Sequence, residues 1–346
     1  VPAIVATGTE VDDSFDGKTA VIDGFSGTVY LDPTPGILAV MKEKQDQSIR
    51  LKELMQQLKG LPSETVDGHR VEVAANVSSA SDLAAVLKND AEGIGLFRSE
   101  FIYMGRDTLP SEEEQFNIYK LAIETMAGKR VIIRTLDIGA DKEASAFHLP
   151  KEENPALGMR AIRICLKRPE IFKTQLRAIL RASAFGKAAI MFPLITSVWE
   201  VWKAREILDE VRMELDKKGI AYDHHMEVGI MVETPAAALI SDKLAKEVDF
   251  FSIGTNDLSQ YTLVVDRTSR VLSDFFNPHH PAVLKLIQMT VENAHKAGIW
   301  VGMCGELGSD LSITETFLRM GVDEFSVAPY SVLPLRKQIR SIDLSK

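Results

Sequence analysis

The chain has little cysteine, no long apolar run and no surplus of positive charge, and each shortage removes a class of protein. Only Cys165 and Cys304 occur in its 346 residues, far apart and outside any Cys-x-x-Cys pair. That excludes a disulfide framework and a zinc knuckle, and it suits a reducing cytoplasm. No stretch has the length and apolarity of a membrane-spanning helix, and there is no secretory signal pattern, so no membrane insertion is expected. The formal net charge of −9 argues against nucleic acid and anionic membrane surfaces as partners. An anionic substrate would therefore need a locally basic pocket. The Gly-x-x-x-x-Gly-Lys-Ser/Thr phosphate loop is missing. Gly93-x-Gly95 runs on to Arg98 without the third glycine of a dinucleotide fingerprint. There is no low-complexity tract.

What is present is ordinary globular composition, 45% hydrophobic and 26% charged, enough for one large domain with appendages or for two domains. The chain opens on Val1 instead of Met and in mid-pattern, with residues 2–5 already strand-like, so further chain is expected upstream. Residues 19–22 and 28–31 are two more short strand candidates separated by Asp-Gly and Ser-Gly turns. Residues 1–35 are too few to bury their own core and read as the remnant of an upstream domain. Over 36–62, Ile37, Met41, Ile49, Leu54, Met55 and Leu58 fall at roughly helical spacing between Lys, Glu and Gln, ending at Gly60 and Pro62: a linker helix.

From residue 63 onward the pattern becomes regular. Strand-like runs at 70–77, 93–97, 130–136, 188–195, 228–232, 248–253, 300–303 and 324–327 alternate with helical patterns. The helices are expected at 81–88, 111–126, 169–183, 197–217, 235–246, 281–296, 311–320 and 332–339. Ser111 and Glu114 form a capping box, and Pro169, Pro235 and Pro281 stand at first-turn positions. Eight strands alternating with eight helices predict an α/β fold, a (β/α)8 TIM-type barrel over 63–346. A doubly wound open sheet is the runner-up.

In such a barrel chemistry gathers at the C-terminal ends of the strands. Those ends carry Arg98, Arg134, Glu233, Asn256, Asp257 and Cys304, drawn from five strands. Arginines around one pocket suit a phosphate or carboxylate through bidentate hydrogen bonds. Two carboxylates, Glu233 and Asp257, suit a hard cation, for which Mg²⁺ is the natural choice. A protonated thiol beside them can serve as an acid. Each residue also has a plainer reading: arginines paired to neighbouring acids, Asn256 and Asp257 in a helix-capping turn, Cys304 as core packing. His69, His224 and His225 precede their strands and belong to the opposite rim, and Cys165 reads as packing.

Six motifs in order, 93–100, 134–142, 153–160, 229–236, 251–261 (Phe-Ser-Ile-Gly-Thr-Asn-Asp-Leu-Ser-Gln-Tyr) and 302–307 (Gly-Met-Cys-Gly-Glu-Leu), resemble enzyme I of the bacterial sugar phosphotransferase system. The resemblance implies a barrel that binds phosphoenolpyruvate with Mg²⁺ and forms a homodimer. It implies that Arg98 and Arg134 hold the phosphate, and that Arg160, Arg267 and Asn256 help bind the ligand. It assigns Glu233 and Asp257 to the metal and Cys304 to protonation of the enolate carbon as pyruvate forms. The acceptor histidine, whose Gly-Gly-x-x-Ser-His-type motif does not occur here, would belong to an upstream swivelling domain that passes the phosphate to the carrier protein HPr. Ala140 and Ser99 depart from the family's usual Gly and Thr. Two alternatives are a dikinase or synthase of the same superfamily and a Mg²⁺-dependent lyase barrel acting through an enolate.

Overall fold

The computed structural model describes residues 11–24, 26–139 and 145–346. The expected strand at 2–5, and Ala140, Asp141 and Lys142, lie outside them. The chain divides into two compact units, Val1–Leu58 and Lys59–Lys346. In the first, β1 (Ala20–Asp23) and β2 (Thr28–Leu31) form an antiparallel hairpin with Ala20 opposite Leu31. The helix Pro35–Gln56 follows. Thr34 caps it by accepting the Ile37 N–H at 3.4 Å, and Pro35 occupies the first position, where no N–H is needed. Lys44 on this helix pairs with Asp23 of the hairpin at 3.2 Å.

The second unit is the expected barrel. Its strands are β3 (Glu72–Val77), β4 (Ile94–Arg98), β5 (Val131–Arg134), β6 (Ala188–Phe192), β7 (Glu227–Val232), β8 (Phe250–Ile253), β9 (Trp300–Met303) and β10 (Glu324–Val327). They close in chain order with every neighbouring pair parallel, β10 returning to β3. Closure excludes the open doubly wound sheet. Helices Glu112–Thr125, Pro169–Ser183, Val198–Lys217 and Pro281–Ala297 match the expected ones closely, the first carrying the Ser111/Glu114 capping box.

Two local expectations change. The helix expected over 235–246 breaks at Ile240 into Pro235–Leu239 and Ser241–Leu244. The Ser241 hydroxyl takes the Ala238 carbonyl at 2.7 Å, competing for an acceptor that an unbroken helix would use. The helix Thr255–Leu263 is additional to the eight expected. It buries only Thr255, Leu258 and Ser259, too short a stripe to stand out as periodicity.

Strand alternation decides what the barrel contains. On β5, Val131 and Ile133 join the large apolar layer between barrel and helices, while Ile132 packs inside with Leu96, Ala189, Met191, Met231, Phe250 and Cys304. With a period of two, Arg130, Ile132 and Arg134 share the interior face. The same count on β7 puts Glu227, Met231 and Glu233 inside and Val228, Ile230 and Val232 outside. The interior is thus an apolar plug with a charged layer at each end.

At the N-terminal end, Arg130 meets Glu72 at 2.7 Å, Glu324 at 3.1 Å and Glu227 at 3.5 Å. Its guanidinium lies 3.9 Å over the Trp300 ring, which stacks on Phe250 with centroids 4.6 Å apart. One arginine faces three carboxylates. Burial first, and then Glu72, push the fully buried Glu324 from 4.5 up to about 8 against the pull of Arg130. The folded protein keeps this proton to higher pH than the unfolded chain does. Stability should therefore fall as pH rises from 4.5 to about 8 and level off above that. Glu324→Gln keeps the side chain's shape and removes the titration. Its melting temperature should fall across the window by about 3 °C less than the parent's, the shift that about 1 kcal/mol produces in a large domain, because the remaining buried acids titrate alike in both proteins. Identical slopes in both proteins would locate the proton elsewhere.

Candidate functional site

The C-terminal ends of the same inward-facing rows build the other charged layer. Arg98 ends β4 and Arg134 ends β5, paired in register. Glu233 follows β7 directly, and Cys304 follows β9. After β8 the chain turns at Gly254 into the helix Thr255–Leu263, so Asn256 and Asp257 lie in a helical first turn and on the barrel rim at once. Arg98, Arg134, Glu233, Asn256, Asp257, Arg267 and Cys304 all line one cavity of about 220 Å³. Arg160 is not on that wall. It reaches Asp257 from a neighbouring groove and contacts it at 3.4 Å.

Arg134 and Arg160 are both buried and are joined through Asp137. One Asp137 oxygen meets Arg134 at 3.0 Å and the other meets Arg160 at 3.1 Å. Arg134 also pairs with Glu100 at 2.5 Å. Burial alone would favour loss of the guanidinium protons. Asp137 outweighs it, helped by Glu100 at Arg134 and by Asp257 at Arg160, and both arginines stay firmly charged. Each retains a buried Nε–H with no hydrogen-bond partner among the described residues. Gly139, at φ +113°, lets the chain pass this close. A Cβ there would sit 2.5 Å from the Arg160 Cβ.

Glu233 is held by the backbone. Its Oε1 accepts the Leu194 N–H at 2.6 Å, and Leu194 sits at φ +55°, a left-handed conformation uncommon for leucine. Burial, then the Asp257 and Asp137 carboxylates, push Glu233 up to about 8 despite Arg134 and Arg160. The Cys304 thiol is also buried. Burial pushes it up to about 11, with Arg134 and Arg98 pulling the other way, so it keeps its proton at neutral pH. Its Sγ lies 3.7 Å from the Ile253 carbonyl oxygen. Asn256 is engaged at both ends of its amide by Glu306: Nδ2 donates to the carboxylate at 3.2 Å and Oδ1 accepts the Glu306 N–H at 2.9 Å.

The donor set fits Mg²⁺. No cluster of three or more His, Cys, Asp or Glu forms a complete protein cage among the described residues. Mg²⁺ commonly takes one or two carboxylates and completes its shell with water and phosphate oxygens. Burial, and after it the repulsion from Asp257 and Asp137, keeps a proton on Glu233, and a divalent cation would offset both.

Four participants were not singled out from sequence. Glu100 and Asp137 sit just past strand ends, where nothing in the local sequence shows that they pair with Arg134 and Arg160. Leu194 acts through its backbone N–H, which no side-chain pattern signals. Tyr261 is spaced one helical turn from Asp257, a signal available only once the helix Thr255–Leu263 is known.

The barrel architecture recurs in the crystal structure of a citrate lyase from Burkholderia xenovorans LB400, with a TM-score of 0.53 and 18% identity over 82% of each chain. That likeness is one of fold and defines the class, a closed (β/α)8 barrel. The family is narrower. Residues 52–344 match the PEP-utilising enzymes, PEP-binding domain, and the chain belongs to that family. It is 48% identical over its whole length to a phosphoenolpyruvate-protein phosphotransferase of Staphylococcus carnosus (strain TM300), and 48% identical over 342 residues to that of Bacillus subtilis (strain 168). It spans 60% of the length of each. No helix among the described residues is long and apolar enough to cross a membrane.

The tight seat of Glu233 gives a test. A Cβ on Gly254 would lie 2.9 Å from the Glu233 Cβ and 3.0 Å from both Glu233 Oε2 and Met231 Sδ. Gly254→Ala should cost about 1–3 kcal/mol, as overpacking of a filled interior does, and lower the urea midpoint with an unchanged slope. An unaltered midpoint would mean that Glu233 has room to move.

Proposed function

We propose that this chain binds phosphoenolpyruvate with Mg²⁺ and supports transfer of its phosphoryl group to a histidine on an upstream domain, releasing pyruvate. HPr would then receive the phosphate through that domain, in the cytoplasm, with this barrel forming a homodimer. The observation that carries the reading is the single cavity shared by Arg98, Arg134, Arg267, Glu233, Asp257 and Cys304. The family match and the names of the relatives favour a phosphotransferase over a dikinase or a lyase.

In this reading Arg98 and Arg134 face the phosphate, and Arg160, Arg267 and Asn256 complete the grip on the anion. Asn256 would turn part of its amide from Glu306 to the ligand. Glu233 and Asp257 would hold the cation, which supplies charge neutralisation at the phosphate and enol oxygens. The bond from phosphorus to the enol oxygen breaks as one to the acceptor imidazole nitrogen forms. The enolate left behind takes a proton on its methylene carbon from the Cys304 thiol, giving pyruvate and a thiolate. Transfer of this kind depends on positioning and fixed charge more than on covalent help.

Titration calorimetry of the chain with phosphoenolpyruvate tests the proposal. Heat of binding should appear with Mg²⁺ and fade on its removal; its absence with Mg²⁺ present would refute the reading. Burial and the neighbouring acids push Glu233 up to about 8, so cation binding at neutral pH should displace a proton. Affinity should rise as pH climbs towards 8, with proton release visible as a dependence of the heat on buffer ionisation. Cys304→Ala should bind phosphoenolpyruvate as well as the parent does. With the phosphoryl-accepting portion of a relative supplied in trans, it should lose about 10²-fold or more in phosphoenolpyruvate–pyruvate exchange, the range for loss of a positioned proton donor. Undiminished exchange would remove the thiol from the reaction.

A further inference from the structure

The helix Thr255–Leu263 brings Asp257 and Tyr261 to one face, four residues apart, and both bind Arg160. The Tyr261 hydroxyl accepts a hydrogen bond from Arg160 Nη1 at 2.9 Å and donates its own proton to the Ala156 carbonyl at 2.5 Å. Arg160 Nη2 divides between Asp137 and Asp257. Left to these two acids, the guanidinium could rotate about its long stem while keeping an ion pair. The phenol removes that freedom by fixing the other arm of the fork. Its second hydrogen bond anchors it to the chain segment that leads into Arg160. Residue 161 follows at φ +50°, a left-handed setting that an alanine seldom takes, so the segment is held here against its own preference.

From this we propose that Tyr261 is a positioning residue. By bridging Arg160 Nη1 to the Ala156 carbonyl it holds the guanidinium in one orientation, and so fixes the Arg160–Asp257 contact through which Arg160 acts on the cavity that Asp257 lines. It touches no reacting atom. The inference rests on reading the cavity as a phosphoenolpyruvate site, and it adds a residue that determines how well that site grips its anion. Two geometric facts carry it: the bridging hydroxyl and the shared helical face. Burial raises the phenol's pKa, with Arg160 opposing, which keeps the hydroxyl protonated and able to donate.

Tyr261→Phe keeps the ring and deletes only the bridge. In calorimetry with phosphoenolpyruvate and Mg²⁺, it should weaken binding about 10-fold, the scale of one hydrogen bond to a charged group. In an Arg160→Lys background, where the fork is gone, the same change should cost less than about 2-fold. Equal affinity of Tyr261→Phe and parent, or a full 10-fold loss in both backgrounds, would overturn the inference. A ligand-free measurement judges it separately. By ¹⁵N-arginine NMR, the Arg160 Nε–H should exchange with solvent about 10-fold faster in Tyr261→Phe, because a freed guanidinium samples more open positions. Unchanged exchange would overturn the inference even if the parent failed to bind phosphoenolpyruvate, a result that would by itself count only against the proposed function.

Discussion

Asp137 is the residue on which the mouth of this barrel depends. Its carboxylate is buried between two buried guanidiniums, Arg134 at 3.0 Å and Arg160 at 3.1 Å. Through it the end of β5, the segment leading to Arg160 and the helix Thr255–Leu263 become one electrostatic unit, because Arg160 continues to Asp257. Removing one partner from a buried pair of this kind costs about 3–5 kcal/mol, since the other charge is left without water or counter-ion. The network is thus a fixed frame. Arginines held this way are already oriented when an anion arrives and lose little freedom on binding it.

The frame also explains why Glu233, proposed as a cation ligand, behaves differently from an ordinary surface acid. Glu233 sits under the Leu194 N–H and beside Asp257, deep enough that its proton is retained to about 8. The surrounding arginines are committed to Asp137, Glu100 and Asp257, and their pull on Glu233 does not prevail. A cation would answer that local excess of negative charge. The same arithmetic appears at the opposite end of the barrel, where Arg130 faces Glu72, Glu227 and Glu324. There the apolar interior, with Trp300 and Phe250 stacked above the arginine, leaves the surplus to be settled by a proton on Glu324. One end of the barrel is suited to a ligand, the other to closing the fold.

The legibility of these features follows from their range along the chain. Period-two alternation is local, so an inward row such as Arg130, Ile132, Arg134 can be read from β5 alone, and its polar end marks the rim. That is why Arg98, Arg134, Glu233 and Cys304 were visible as candidates from strand ends. The helix carrying Asn256 and Asp257 was less visible, because it buries few residues and begins with a polar turn. Arg160 meets Asp137 from 23 positions further along the chain. No periodicity spans that distance, and its role entered only through resemblance.

The barrel, its strand order and the types of side chain at the C-terminal rim of its strands follow from the chain read alone, since strand and helix periods are written in neighbouring residues and parallel strands joined by helices close in few ways. Only the tertiary structure decided which acid each arginine takes, that Asn256 is engaged by Glu306, that a backbone N–H at Leu194 seats Glu233, and that Tyr261 braces Arg160. Those pairings depend on distances between segments far apart in the chain. Burial then sets their strength, because the cost of an unmatched charge is large only where water is excluded.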